Sequence, residues 1–245
     1  MDVQTYMGFE KLPLFYLGPP IENKGIPTLL YFSLSGPESL TLAPYNQIAS
    51  NLASEGVRIL SLTLPGHHEG QDKHKAMEYW ANNLEELQTF LKNAHALLDH
   101  LFKHEWIDSK HFAVAGLSRG GWIATHLLSH PQVKVALGLA PVTRLDFLSE
   151  FNENSPLLKE LSLDLLLEKF VSKSLRYYIG NRDEKIGTAS AFKFVEELTN
   201  FAYNKRVRSP EVELILSPSI GMLGHGTPPH IFEEAALWIK KKIVE

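Results

Sequence analysis

The 245-residue chain carries 24 Lys and Arg against 28 Asp and Glu, a net charge of −4, with 44% hydrophobic and 21% charged residues. That composition belongs to an ordinary globular domain able to bury a sizeable core, and it offers no basic stripe for a nucleic-acid partner. The chain has no cysteine, which excludes disulfides, thiolate metal sites and a cysteine nucleophile.

In chain order, Met1-Asp2-Val3-Gln4-Thr5-Tyr6 lacks the basic and apolar regions of a signal peptide. No apolar run approaches the length of a membrane span, so a cytoplasmic protein with no membrane partner is expected. Residues 12–17 predict a strand ended by Gly18-Pro19-Pro20, and residues 28–32 a strand covered on both faces. A helix is expected over 44–55, with Pro44 in its first turn and Gly56 as its stop. A strand follows at 57–62. A long helical stretch then runs from 75 to 104, broken near Asn82-Asn83.

Residues 112–115 predict a buried strand, with a helix after it to Ser129. Further strands are expected at 133–139, 175–179 and 212–216, and helices at 189–203 and 231–244. Lys240-Lys241-Lys242 reads as the solvated end of that last helix. Strands alternating with helical patterns predict one α/β domain over residues 1–245, with a mostly parallel central sheet and helices on both faces. Residues 143–173 are longer than a crossover needs. They are expected to form one or two helices around the loop Asn152-Glu153-Asn154-Ser155-Pro156, a small helical cap over a cleft.

The stretch "FAVAGLSRGGWIATHLLSH" sets Ser118 at the join of the predicted strand and helix, between Gly116 and Gly120. G-x-S-x-G in that context describes a sharp turn that lifts one hydroxyl out of the backbone, with glycines where side chains would collide. A serine nucleophile needs a base, and the base needs an orienting acid. Asp183 in "YIGNRDEKIGTA" follows one later strand and His225 in "GMLGHGTPPH" follows the last. Glu184 and Asp146 are rival acids. His230 is a rival base, placed at the start of the last helix rather than on the loop. His67, His68 and His74 match no zinc spacing, so neither metal nor cofactor is expected.

"GLSRGG", "IGNRDEKIG" and "LGHGTP" together resemble the α/β-hydrolases, in the branch of dienelactone hydrolase and the prolyl-oligopeptidase-like esterases, over about residues 12–244. The resemblance implies an α/β-hydrolase fold and a serine hydrolase. It makes Ser118 the nucleophile, His225 the general base and acid, and Asp183 its orienting partner. Relatives carry His-Gly after the second of these strands, where this chain reads Ser33-Leu34-Ser35. Aligned by the strand end, Ser35 supplies one backbone donor to the oxyanion hole and Arg119 the other; a shift of two would require an N–H from Pro37, which has none. The Pro65-Gly66-His67 turn is kept, with Thr63 in place of a leading acid.

The expected activity is cleavage of a carboxylic ester in a small-molecule acyl substrate through an acyl-enzyme. Small-peptide or amide hydrolysis and thioester hydrolysis are alternatives. So is a non-catalytic ligand-binding protein, motivated by the missing His-Gly. Oligomeric state is not legible.

Overall fold

Apolar runs and amphipathic stretches alternate along the chain, and the computed structural model, which describes residues 2–9, 12–152 and 154–245, turns that alternation into layers. Glu153 of the expected loop lies outside the described residues. The strands are β1 (Gln4–Tyr6), β2 (Leu14–Leu17), β3 (Thr28–Phe32), β4 (Arg58–Ser61), β5 (Phe112–Leu117), β6 (Val135–Leu139), β7 (Ser174–Gly180) and β8 (Val212–Ser217). The α-helices are α1 (Gly36–Thr41), α2 (Gln47–Ala53), α3 (Ala76–Asn82), α4 (Leu84–Lys103), α5 (Arg119–Leu127), α6 (Pro156–Glu160), α7 (Leu167–Phe170), α8 (Thr188–Asn204) and α9 (Pro229–Ile243).

The sheet order is β1-β2-β4-β3-β5-β6-β7-β8. β1 pairs antiparallel with β2, and β2 with β4, while the run β4-β3-β5-β6-β7-β8 is parallel throughout. Side chains alternate across the pleat. Leu30, Phe32, Leu60, Val114, Ala136 and Tyr177 face a core shared with α3 to α8, while Leu29, Tyr31, Ile59, Ala115, Leu137 and Tyr178 face α1, α2 and α9. Every residue of β3, β4 and β6 is buried, and β3 and β6 accordingly read as largely apolar runs rather than alternating ones. The register pairs Phe32 with Gly116, Leu117 with Leu139, Leu139 with Tyr178 and Gly180 with Ser217. The loops after β3, β5, β6, β7 and β8 therefore open on one carboxyl edge.

Two elements were not expected. β1 is three residues at the sheet's edge, too short for a period to show. α1 starts in "SGPES": the Ser35 side chain accepts from the Glu38 amide and Pro37 occupies the first turn, so a cap and a proline make a helix from residues that read as loop. Pro44 lies ahead of α2 rather than inside its first turn.

Residues 143–173 form α6, a 3-10 turn at Leu163–Leu166, and α7. Leu158, Leu161, Leu163 and Phe170 are buried in the core that holds α4 and α5. The segment is tied down at two further points. His126 Nε2 of α5 lies 3.0 Å from the Leu161 carbonyl. The Arg144 guanidinium meets Glu197 of α8 at 2.5 Å and Asp164 at 3.2 Å. Between the segment and α5 lies a cavity of about 290 Å³ lined by Trp122, Thr143, Leu145, Leu158 and Leu161 among others.

Candidate active site

Ser118 joins β5 to α5 with φ 55° and ψ −114°, a backbone state that a residue with a Cβ holds only under constraint. The constraint is visible on each side. The Ser118 amide donates to the Leu139 carbonyl at 2.8 Å, and its own carbonyl accepts from the Gly121 and Val142 amides at 3.0 and 3.1 Å. A Cβ on Gly116 would come within 2.1 Å of the Gly120 backbone, and one on Gly120 within 2.1 Å of the Phe32 carbonyl oxygen. The glycines let α5, the Ser118 turn and β3 pass closer than side chains allow.

Two carboxyl-edge loops meet the serine. Asp183 follows β7 with its side chain fully buried. Its Oδ1 accepts from the Lys185 and Ile186 amides, both at 3.1 Å, which fixes the carboxylate before it meets any partner. Its Oδ2 lies 2.7 Å from His225 Nδ1. His225 follows β8 on a loop bent by positive φ at Gly221, Leu223 and Gly224; at Gly224 a Cβ would sit 2.1 Å from the Arg182 carbonyl oxygen. The other ring nitrogen, Nε2, lies 2.9 Å from Ser118 Oγ. With Nδ1–H donating to the carboxylate, Nε2 is the acceptor for the serine proton, a tautomer assigned from its partners.

The rivals lie elsewhere. Glu184 is exposed and paired with Arg182 at 2.8 Å. Asp146 is an exposed residue of the 143–173 segment, and His230 an exposed residue in the first turn of α9.

The loop after β3 is organised by Ser39, whose buried hydroxyl accepts from the Ser33 amide at 3.1 Å and the Leu34 amide at 2.9 Å. The Gly36 amide donates to Thr63 Oγ1 at 3.0 Å. That leaves the Ser35 amide, which meets no acceptor among the described residues. The Arg119 amide, first in α5, likewise has none. Ser39, inside α1, thus occupies the two preceding donors and spares the third.

The Arg119 side chain turns towards the loop after β4, where Nη2 lies 2.9 Å from His67 Nε2. His67 is 2% exposed. Burial, with the Arg119 charge beside it, pushes the imidazole down to about 3, so it is neutral and acts as acceptor. The sequence flagged His67 as part of a retained turn but gave no sign of this contact, because the partners are 52 positions apart. Among the described residues no group of three His, Cys, Asp or Glu is arranged to hold a metal ion.

No protein-family model matches the chain, and no curated protein sequence does. Solved structures do. TT1662 from Thermus thermophilus superposes with a TM-score of 0.74 at 18% identity, covering 100% of each chain. A cold-adapted esterase from an Arctic intertidal metagenomic library gives 0.68 at 16% identity, over 98% of this chain and 93% of that one. The acylaminoacyl peptidase of Pyrococcus horikoshii gives 0.65 at 17% identity, over 98% of this chain but 40% of that one. The chain has the α/β-hydrolase fold. Within that fold, Ser118, Asp183 and His225 occupy the loops after β5, β7 and β8, and α5 starts directly beneath the serine. No helix among the described residues is long and apolar enough to cross a membrane.

Proposed function

We propose that the protein is a serine hydrolase that cleaves carboxylic esters of small acyl substrates through an acyl-enzyme. One observation carries the reading: the unbroken chain Ser118 Oγ, His225, Asp183, with links of 2.9 and 2.7 Å, at a serine held at φ 55°. Ser118 Oγ bonds to the acyl carbon as the carbonyl π pair moves to oxygen and the serine proton passes to His225 Nε2. The developing oxyanion takes the Ser35 and Arg119 N–H groups, the amides left without acceptors. Collapse breaks the bond to the leaving alkoxide, which receives the proton from His225. Water then repeats the sequence on the acyl-enzyme and releases the acid. Asp183 keeps the imidazole in the Nδ1–H tautomer and stabilises its cationic form. Residues 143–173 act as a cap, and the cavity they enclose against Trp122 accommodates part of the substrate.

Amide cleavage is the second reading, supported by the presence of an acylaminoacyl peptidase among the similar structures. A panel of p-nitrophenyl esters of graded acyl length, set beside aminoacyl arylamides, tests the choice. Turnover of short esters that vanishes in Ser118→Ala is the expected result. Turnover of arylamides alone would move the assignment to peptides. Full ester turnover by Ser118→Ala would end the proposal.

A further inference from the structure

The residue after the proposed nucleophile carries a cation with no ion-pair partner among the described residues. Arg119 is half-buried, and its one side-chain partner among the described residues is the neutral His67 imidazole, on Nη2. Its Nε is buried without an acceptor, as is Nδ1 of His67. A guanidinium does not lose its proton to escape burial. Buried charges are normally paired, because taking an ion out of water costs several kcal/mol. The neighbouring carboxylates are accounted for. Glu38 is held by Lys73 and by Ser35 Oγ. Glu150, exposed on the 143–173 segment, exerts a favourable field on Arg119 without forming an ion pair.

The location gives this arrangement a use. In the sheet order, β4 and β3 lie on one side of β5, while β7 and β8 lie on the other. Arg119 and His67 therefore flank Ser118 on the side away from His225. There an open cavity of about 500 Å³ is lined by Ser35, Glu38, Thr63, His67, Glu69 and Lys73 among others. It runs from the proposed oxyanion donor Ser35 to the imidazole that holds Arg119; in its wall Lys73 is paired with Glu38, and Glu69 follows His68.

We propose that Arg119 is a specificity residue that selects acyl substrates bearing a carboxylate a few bonds from the scissile carbonyl, with His67 holding its guanidinium in place. The proposal rests on the hydrolase reading above. The carboxylate completes the unpaired fork of the guanidinium, a charge-assisted contact that a neutral acyl chain cannot make. His67 suits the task because a neutral acceptor orients the cation without cancelling it. Burial lowers Arg119 only to about 10, so its charge persists across the neutral range.

The test compares 4-methylumbelliferyl hemiglutarate with the matched neutral ester of monomethyl glutarate, each corrected for its uncatalysed rate. The wild type is expected to favour the charged ester by roughly tenfold or more in kcat/KM, chiefly through KM, because charge-assisted hydrogen bonds are worth at least that factor. The preference should shrink with added salt and fall to near unity in Arg119→Gln, with partial recovery in Arg119→Lys. A wild-type ratio at or below one overturns the proposal, as does a ratio that survives in a folded Arg119→Gln protein. Should Arg119→Gln fail to fold, the wild-type ratio and its salt dependence decide alone. Cleavage of the neutral ester without preference sinks this inference and leaves the hydrolase reading standing. Cleavage of neither ester, with no labelling by a fluorophosphonate, removes both.

Discussion

A side chain as ordinary as serine takes φ 55° only when its neighbours leave no alternative, and Ser118 is held from β6, from α5 and from the turn after β6 at once. Strain of this kind costs on the order of 1–3 kcal/mol, offset by the surrounding hydrogen bonds. At this scale the sequence was most legible: a Cβ on Gly116 or Gly120 would stand 2.1 Å from backbone atoms, and a bare glycine fence is visible in the letters. The Arg119–His67 contact was not visible, because nothing local to either residue encodes a partner 52 positions away. Asp183 supports a prediction here. Its Oδ2 receives the Nδ1–H of His225 at 2.7 Å, and an asparagine would present an amide that stabilises the opposite tautomer. Asp183→Asn should lower kcat by about four orders of magnitude with the fold intact. Steady-state kinetics beside circular dichroism checks this, and a loss below tenfold would show that Asp183 does not orient the base.

Among elements, those with several repeats or a continuous apolar run are legible in the sequence, and α1 and β1 are not. α4 buries Leu87, Leu91, Ala94, Leu98 and Leu101 on one stripe, a signal with several repeats, and its separation from α3 at Asn83 matches the expected break. α1 and β1 hold six and three residues, under two helical turns and under two strand repeats respectively. β4 hides another feature that pattern alone missed. Arg58 is 0% exposed inside a strand whose every residue is buried. Its guanidinium donates to the Ile21 and Trp106 carbonyls at 3.0 and 2.9 Å and to the Asn23 carbonyl at 2.5 Å. It therefore ties the loop before β3 and the turn after α4 to the sheet. Arg58→Met keeps the length and removes every donor, leaving three carbonyls short of partners at about 1 kcal/mol or more each. Thermal unfolding should show a loss of about 3 kcal/mol, a Tm lower by about 6–12 °C for a chain of this size. An unchanged Tm would mean that those carbonyls find water instead.

For the whole molecule, alternation of strands and helices predicts a parallel sheet, but not which strands become neighbours; that order is what brings the loops after β5, β7 and β8 together. Burial on this scale also sets a pH response. His67 is pushed down to about 3, and His95 and His126 to about 4, desolvation being the largest cause in each. Native histidines with depressed values refuse protons that the unfolded chain accepts, so stability is full above pH 6.5, the ordinary imidazole value, and falls as the pH drops towards 4. The two most buried, His67 and His126, each contribute a slope of about 1.4 kcal/mol per pH unit in that window. Calorimetry should show Tm falling across it, less steeply in His126→Gln; a flat Tm would contradict the assignment of neutral buried rings. The central claim, that Ser118 is an alcohol activated by His225, is tested most directly by reacting the protein with a fluorophosphonate and mapping the adduct by peptide mass spectrometry. One adduct is expected, on Ser118, lost in a folded His225→Ala protein. An unlabelled wild type, an adduct elsewhere, or undiminished labelling without His225 would contradict it.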